Sequence, residues 1–136
     1  DTAPTGHTLL LMDAAGSYHR EIERNMPAGT HYTTPLMRLQ NGDYTKVVLV
    51  TLPETTPVLE ASLLEDDLRR AGIEPWAWVV NQSLAAATTS SPLLVHRAGQ
   101  EREPIDSVRS RASRVALVPL LETEPIGPQR LARLAS

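Results

Sequence analysis

The chain has 136 residues, a net charge of −3 from 13 basic and 16 acidic side chains, 41% hydrophobic and 21% charged residues, and no cysteine. This composition suits one globular domain, or a large part of one. It excludes disulfides and thiolate metal sites built from this chain alone, and without a basic stripe carrying aromatics it gives nucleic acid no electrostatic footprint. No apolar run approaches the roughly 20 residues of a membrane span and no signal-peptide pattern opens the chain, so the expected location is cytoplasmic, with any membrane association made through a partner protein.

The chain opens on "DTAPTGHT", a turn composition led by Asp1. An aspartate of this kind closes a buried strand at a ligand site, yet no strand precedes it here. Residues 7–14 and 17–25 read as helices split near Gly16 and Ser17. Segment 27–45, with Pro27, Gly29, Pro35 and Gly42, reads as loop with a helical turn or two around Leu36–Gln40. "KVVLVTL" (46–52) is a β-branched run expected to form a strand covered on both faces. Thr56 follows as an N-cap with Pro57 at the first helical position. Val58, Leu59, Leu63, Leu64, Leu68 and Ala71 give that helix an apolar side. Arg69 and Arg70 suit its last turn, and Gly72 its C′ position. "WAWVVN" (76–81) is a second strand after Pro75, which completes a βαβ unit with an expected right-handed crossover.

The pattern then repeats more loosely. Ser91-Pro92 starts a helix carrying Leu93 and Leu94, and Pro104 starts another around Ile105 and Val108. "RVALVP" (114–119) is the third strand, and Gly127-Pro128 opens a short helix with Leu131 and Leu134 inward. Strands separated by helices imply an α/β fold, a parallel sheet with helices on both faces. The strand expected before Asp1 would be a fourth. The chain is therefore read as the C-terminal portion of a larger doubly wound domain, 1–136 being a fragment without a P-loop. Lys46, the single lysine, begins a strand and has no Gly-rich loop before it, so the chain holds no phosphate cradle of its own.

In open parallel sheets, ligands bind beyond the carboxyl ends of the strands. Those ends carry Asp1, Pro53-Glu54, Asn81-Gln82 and Pro119-Leu120. The Asn81 amide can offer a donor and an acceptor to a base edge, although an Asn at a strand end also caps turns. Pro119 is, on pattern alone, a common way to leave a strand. His19, His31 and His96 form no metal-ligand spacing with His7. Glu54 and Glu60 have no paired carboxylate for acid–base work. Ser17, Ser62 and Ser83 lack the Gly-x-Ser-x-Gly setting of a hydrolase nucleophile.

"DTAPTGHTLLLMDAAGSYHREI" closely resembles the signature of the arsenical pump-driving ATPases. The resemblance continues through "TTPLMRLQ", "TKVVLVTLPETTPVLEA", "DLRRAGIEPWAWVVNQS", "SPLL" and "ASRVALVPLLETEPIG", nearly the whole chain. It is greatest to the end of the second of two homologous halves, and the family's P-loop lies upstream of the matched region. The resemblance implies a P-loop NTPase fold and assigns roles to individual residues. Asp1 matches the switch aspartate that approaches Mg²⁺ through water, a hard cation suited to carboxylate oxygen. Thr2, Ala3, Pro4, Thr5 and Gly6 match the moving switch connection, and His7 the histidine at its metalloid end. Asn81 matches the adenine-reading asparagine, and Pro119, Leu120 and Leu121 the loop bordering the adenine.

The implied whole is a cytoplasmic ATP hydrolase, peripheral at the inner face of the cell membrane, that energises arsenite and antimonite efflux through a membrane permease. Mg-ATP and the metalloid are its expected ligands. Its partners are the remainder of its own ATPase chain and the permease. This chain alone is expected to bind neither ligand and to show no turnover. Two alternatives stand beside this reading: an ATPase that targets tail-anchored proteins, and a self-contained, non-enzymatic binding or regulatory domain. The first is disfavoured by the absence of a Cys-x-x-Cys pair and by three scattered methionines.

Overall fold

The computed structural model describes residue 33 and residues 35–132. The helices predicted at 7–14 and 17–25 and the side chain of Leu134 lie outside these residues. The described elements are α1 (Pro35–Gln40), β1 (Val48–Thr51), α2 (Thr55–Arg70), β2 (Ala77–Ser83), α3 (Pro92–Gln100), α4 (Arg102–Arg111), β3 (Val115–Pro119) and α5 (Pro128–Ala132). The chain divides into two compact units, Asp1–Val48 with Ser62–Trp76, and Leu49–Ala61 with Ala77–Ser136.

In the first unit, α1 confirms the helical turns expected around Leu36–Gln40. The C-terminal half of α2 ends as its composition demands. Gly72 takes φ +75°, its amide donates to the Arg69 carbonyl (3.0 Å), and the Ile73 amide donates to the Leu68 carbonyl (2.9 Å). This is a Schellman closure, with Leu68 and Ile73 buried as its apolar pair. Gln40 reinforces it through an amide hydrogen bond to the Ala71 carbonyl (2.8 Å). Glu65 is buried and ion-paired with Arg69 at 3.1 Å. Lys46 is exposed, lies before β1, and directs its ammonium to the Gly42 carbonyl.

The predicted apolar side of α2 needs correction. Along the helix the buried positions are Val58, Ser62, Glu65 and Leu68, while Leu59 and Leu63 are exposed. Spacings of four, three and three residues trace one helical face. The leucines at 59 and 63 lie beside that face, and a serine and an ion-paired glutamate occupy the places that apolar counting gave to them. The helix also begins at Thr55, so Thr56 is its second residue and not its cap.

In the second unit the strands form one parallel sheet in the order β1-β2-β3, an α/β arrangement with helices between the strands. β2 is the central strand, and Trp78, Val79 and Val80 pair with Val115, Ala116 and Leu117 of β3. β1 is shorter than the predicted 46–52 and is covered on one face only: Leu49 and Thr51 are buried, Val48 and Val50 exposed. A continuous β-branched run has no polar contrast from which to read that difference. Trp78 and Val80 of β2 join Leu49, Val58, Leu84, Ile105 and Val108 in the core.

α3 begins at Pro92 with Ser91 as its N-cap residue, as expected. Its Leu93 is 75% exposed, so that residue does not serve the core. α4 begins at Arg102, two residues before the predicted start, and holds Pro104 in its first turn, where a missing amide proton costs nothing. Ile105 and Val108 are buried as expected. α5 follows Gly127, which takes φ +86°, but Leu131 is 52% exposed, which corrects its predicted inward placement. A five-residue helix is too short to present a defined inner face.

Candidate functional site at the carboxyl ends of the strands

β2 does not stop at Asn81. It continues through Gln82 to Ser83, and its register with β3 shifts there: Val80 pairs with Leu117, but Ser83 pairs with Pro119. Three steps on β2 match two on β3, so one extra residue is inserted as a bulge. Gln82 takes up the distortion with φ +58°, the left-handed region that non-glycine residues seldom adopt. The consequence is positional. Regular alternation would place Ser83 on the face opposite Val80, yet both are fully buried while Gln82 is exposed.

Ser83 turns inward onto Glu101, the single residue that separates α3 from α4. Its hydroxyl donates to one carboxylate oxygen of Glu101 (2.9 Å). That same oxygen accepts from the Ala85 amide (3.0 Å), and the other accepts from the Leu84 amide (3.0 Å). The Ser83 hydroxyl oxygen in turn accepts from the Ala86 amide (3.2 Å). Glu101 is only 7% exposed, and these donors meet the requirement that a buried carboxylate be hydrogen-bonded. On the other side, the Leu120 amide donates to the Ser83 carbonyl (2.9 Å), which ties the exit of β3 to the exit of β2.

A cleft of about 410 Å³ opens at this edge. Leu52, Pro53, Glu54 and Thr55 line it from the exit of β1 and the start of α2, and Gln82, Leu84 and Leu120 from the other strand exits. Leu94, Arg97 and Gln100 of α3, with Glu101 and Pro104, complete it. Its walls combine apolar surface with the amides of Gln82 and Gln100, the Arg97 guanidinium and the carboxylates of Glu54 and Glu101, a mixture of apolar surface and a few polar groups found in small-molecule sites. Leu120 belongs to this lining, whereas Leu121 is exposed beyond it and Pro119 is half-buried at the end of β3. Asn81 is half-buried within β2, next to the lining residue Gln82.

The exits of β2 and β3 are thus brought side by side, with Leu120 lining the cleft and Asn81, Pro119 and Leu121 outside its lining. Asp1, Thr2, Ala3, Pro4, Thr5, Gly6 and His7 lie outside the described residues. His96 is exposed on α3, and among the described residues no group of three or more His, Asp or Glu is placed to hold a metal ion. Ser83, already set aside as a nucleophile, is a structural hydroxyl committed to Glu101. Gln82, named with Asn81 at the strand end, does line the cleft, whereas Arg97 and Glu101 escape the sequence reading. The only trace of Glu101 is a glutamate directly before an Arg-Glu-Pro helix start, which gives no sign of a partner 18 residues away.

Among the described residues no helix is long and apolar enough to cross a membrane. The family model of the anion-transporting ATPases matches residues 30–136. The chain is 60% identical over 137 residues to the arsenical pump-driving ATPase of Acidiphilium multivorum, covering 100% of this chain and 24% of that protein. It is 62% identical over 136 residues to the arsenical pump-driving ATPase of Escherichia coli, covering 99% of this chain and 23% of that protein. It therefore spans about a quarter of the length of the curated relatives it matches. With the family model covering most of its length and a parallel α/β sheet beneath the match, the chain belongs to the anion-transporting ATPase family.

Proposed function

We propose that this chain forms part of the catalytic subunit of an ATP hydrolase that drives arsenite and antimonite export through a membrane permease. Its part is the base-binding wall and the switch segment. The observation that carries this reading is the adjacency of the β2 and β3 exits, joined by the bond from the Leu120 amide to the Ser83 carbonyl at the mouth of one cleft. A purine needs an edge that offers a donor and an acceptor together, and apolar surface against its faces. Asn81 supplies the amide in this reading, and Pro119, Leu120 and Leu121 the border. Phosphate binding falls to a P-loop elsewhere in the longer protein, since Lys46, the single lysine, has no Gly-rich loop before it. Asp1 takes the Mg²⁺-sensing role through water and Thr2–Gly6 the moving connection, with His7 as a metalloid ligand. The protein works at the cytoplasmic face of the membrane, held there by the permease.

The test is Asn81→Ala in the full-length ATPase. KM for ATP should rise and the preference for ATP over GTP should fall, because a site built to hydrogen-bond one base rejects another by leaving polar groups unpaired. An equal effect on both nucleotides removes Asn81 from base recognition.

A further inference from the structure

We infer that Glu101 is the positioning residue of the base site: its carboxylate, spent on Ser83, Leu84 and Ala85, sets the exit of β2 against the exit of β3. The inference rests on the base-site reading above and adds to it a residue in which the geometry of both walls converges. Glu101 stands at a junction in three respects. Its backbone closes α3, with its amide directed to the Ala98 and Gly99 carbonyls, and its carbonyl accepts from the Ile105 amide in the first turn of α4 (3.0 Å). Its side chain gathers the Ser83 hydroxyl and the Leu84 and Ala85 amides. Through Ser83, whose carbonyl holds the Leu120 amide, it reaches the third strand.

What this arrangement holds in place is unfavourable on its own. Gln82 sits in left-handed backbone, and such a conformation persists only where its surroundings over-determine it. Asn81 precedes that residue and Ser83 follows it. Releasing Ser83 from Glu101 lets the bulge relax toward regular alternation. Relaxation turns Gln82 away from the cleft, shifts the Asn81 amide, and frees Leu120 from its fixed distance to β2. Alanine at position 101 leaves the Ser83 hydroxyl and the Leu84 amide unmet in a buried place and the Ala85 amide without its acceptor, so the loop after β2 has to move to find water.

The experiment uses the full-length ATPase with Glu101→Ala, Glu101→Gln and Ser83→Ala, and Asn81→Ala as the reference for the base site. Amide hydrogen exchange is measured in the absence of nucleotide, and KM and kcat are measured with ATP and with GTP. In Glu101→Ala, exchange at Leu84, Ala85, Ala86 and Leu120 should accelerate about 10-fold or more, the worth of a buried charge-assisted hydrogen bond. Protection in β1 and in α4 should be retained. KM for ATP should rise about 5- to 10-fold, kcat should stay within about twofold, and the ATP-over-GTP preference should fall. Glu101→Gln, which retains one acceptor, should recover part of the loss. Unchanged exchange at these four amides, or equal loosening of the whole sheet, overturns the inference. So does loosened exchange with an unaltered nucleotide preference in a protein whose Asn81→Ala variant does lose that preference. If Asn81→Ala has no effect on preference, the base-site reading fails by itself, and the exchange pattern still decides whether Glu101 sets the two exits. Where Glu101→Ala does not fold, Ser83→Ala and Glu101→Gln carry the same comparison.

Discussion

Glycine at position 82 should make the protein more stable than the wild type. Gln82 has φ +58°, and an L-residue in left-handed backbone loses about 1–2 kcal/mol relative to the right-handed region. Glycine escapes that cost but adds about 0.4–1 kcal/mol of chain entropy to the unfolded state. The difference leaves a net gain of about 0.5–1 kcal/mol for Gln82→Gly. The lost side chain is exposed, so little packing is given up. Gln82→Val should move the other way by about 1–2 kcal/mol, because a β-branched side chain fits left-handed backbone worst. Urea titration followed by tryptophan fluorescence reads both, since Trp78 is buried in the same strand. A glycine variant with a lower midpoint than wild type, at unchanged slope, refutes the reasoning: it would mean that the bulge places no conformational demand on position 82.

Three further outcomes are expected. Gly72→Ala should cost about 1–2 kcal/mol by urea titration, because φ is +75° there and a Cβ would stand 3.2 Å from the Gln40 side-chain nitrogen. Val108→Ala, at a fully buried position of α4, should cost about 2 kcal/mol, while Leu93→Ala on the exposed side of α3 should stay within about 0.5 kcal/mol by the same measurement. His7→Ala in the full-length enzyme should weaken activation by antimonite about 10- to 100-fold with basal ATP turnover retained; unchanged activation removes His7 from the proposed metalloid ligands.

The site owes its form to where the chain changes direction. Parallel strands expose their last carbonyl and amide groups at one edge, and each has to be met by a neighbour or by water. Here the Ser83 carbonyl is met by the Leu120 amide, and the amides after Ser83 are met by Glu101. The same bonds that satisfy the strand ends therefore also shape the cleft. A substitution that merely stabilises the loop in another conformation would alter the shape of the cleft without unfolding the protein.

How far these features can be read without coordinates depends on the distance over which each is encoded. Gly72 after Arg69-Arg70, Pro92 after Ser91 and the burial of Ile105 with Val108 are written in residues no more than four positions apart, and all appear as expected. The three strands appear close to their predicted limits for the same reason, and the strand-end rule locates the cleft. The side of α2 that faces inward was not legible, because leucines at 59 and 63 satisfy a helical period equally well in the wrong rotation. Nor was the bulge at Gln82, since nothing in "WAWVVNQS" announces an extra residue; the insertion is defined only by the pairing partner on β3. Glu101 was the least legible of all. Its role is a set of hydrogen bonds to residues 16 to 18 positions earlier, and only tertiary packing brings a helix junction and a strand exit within 3 Å of each other.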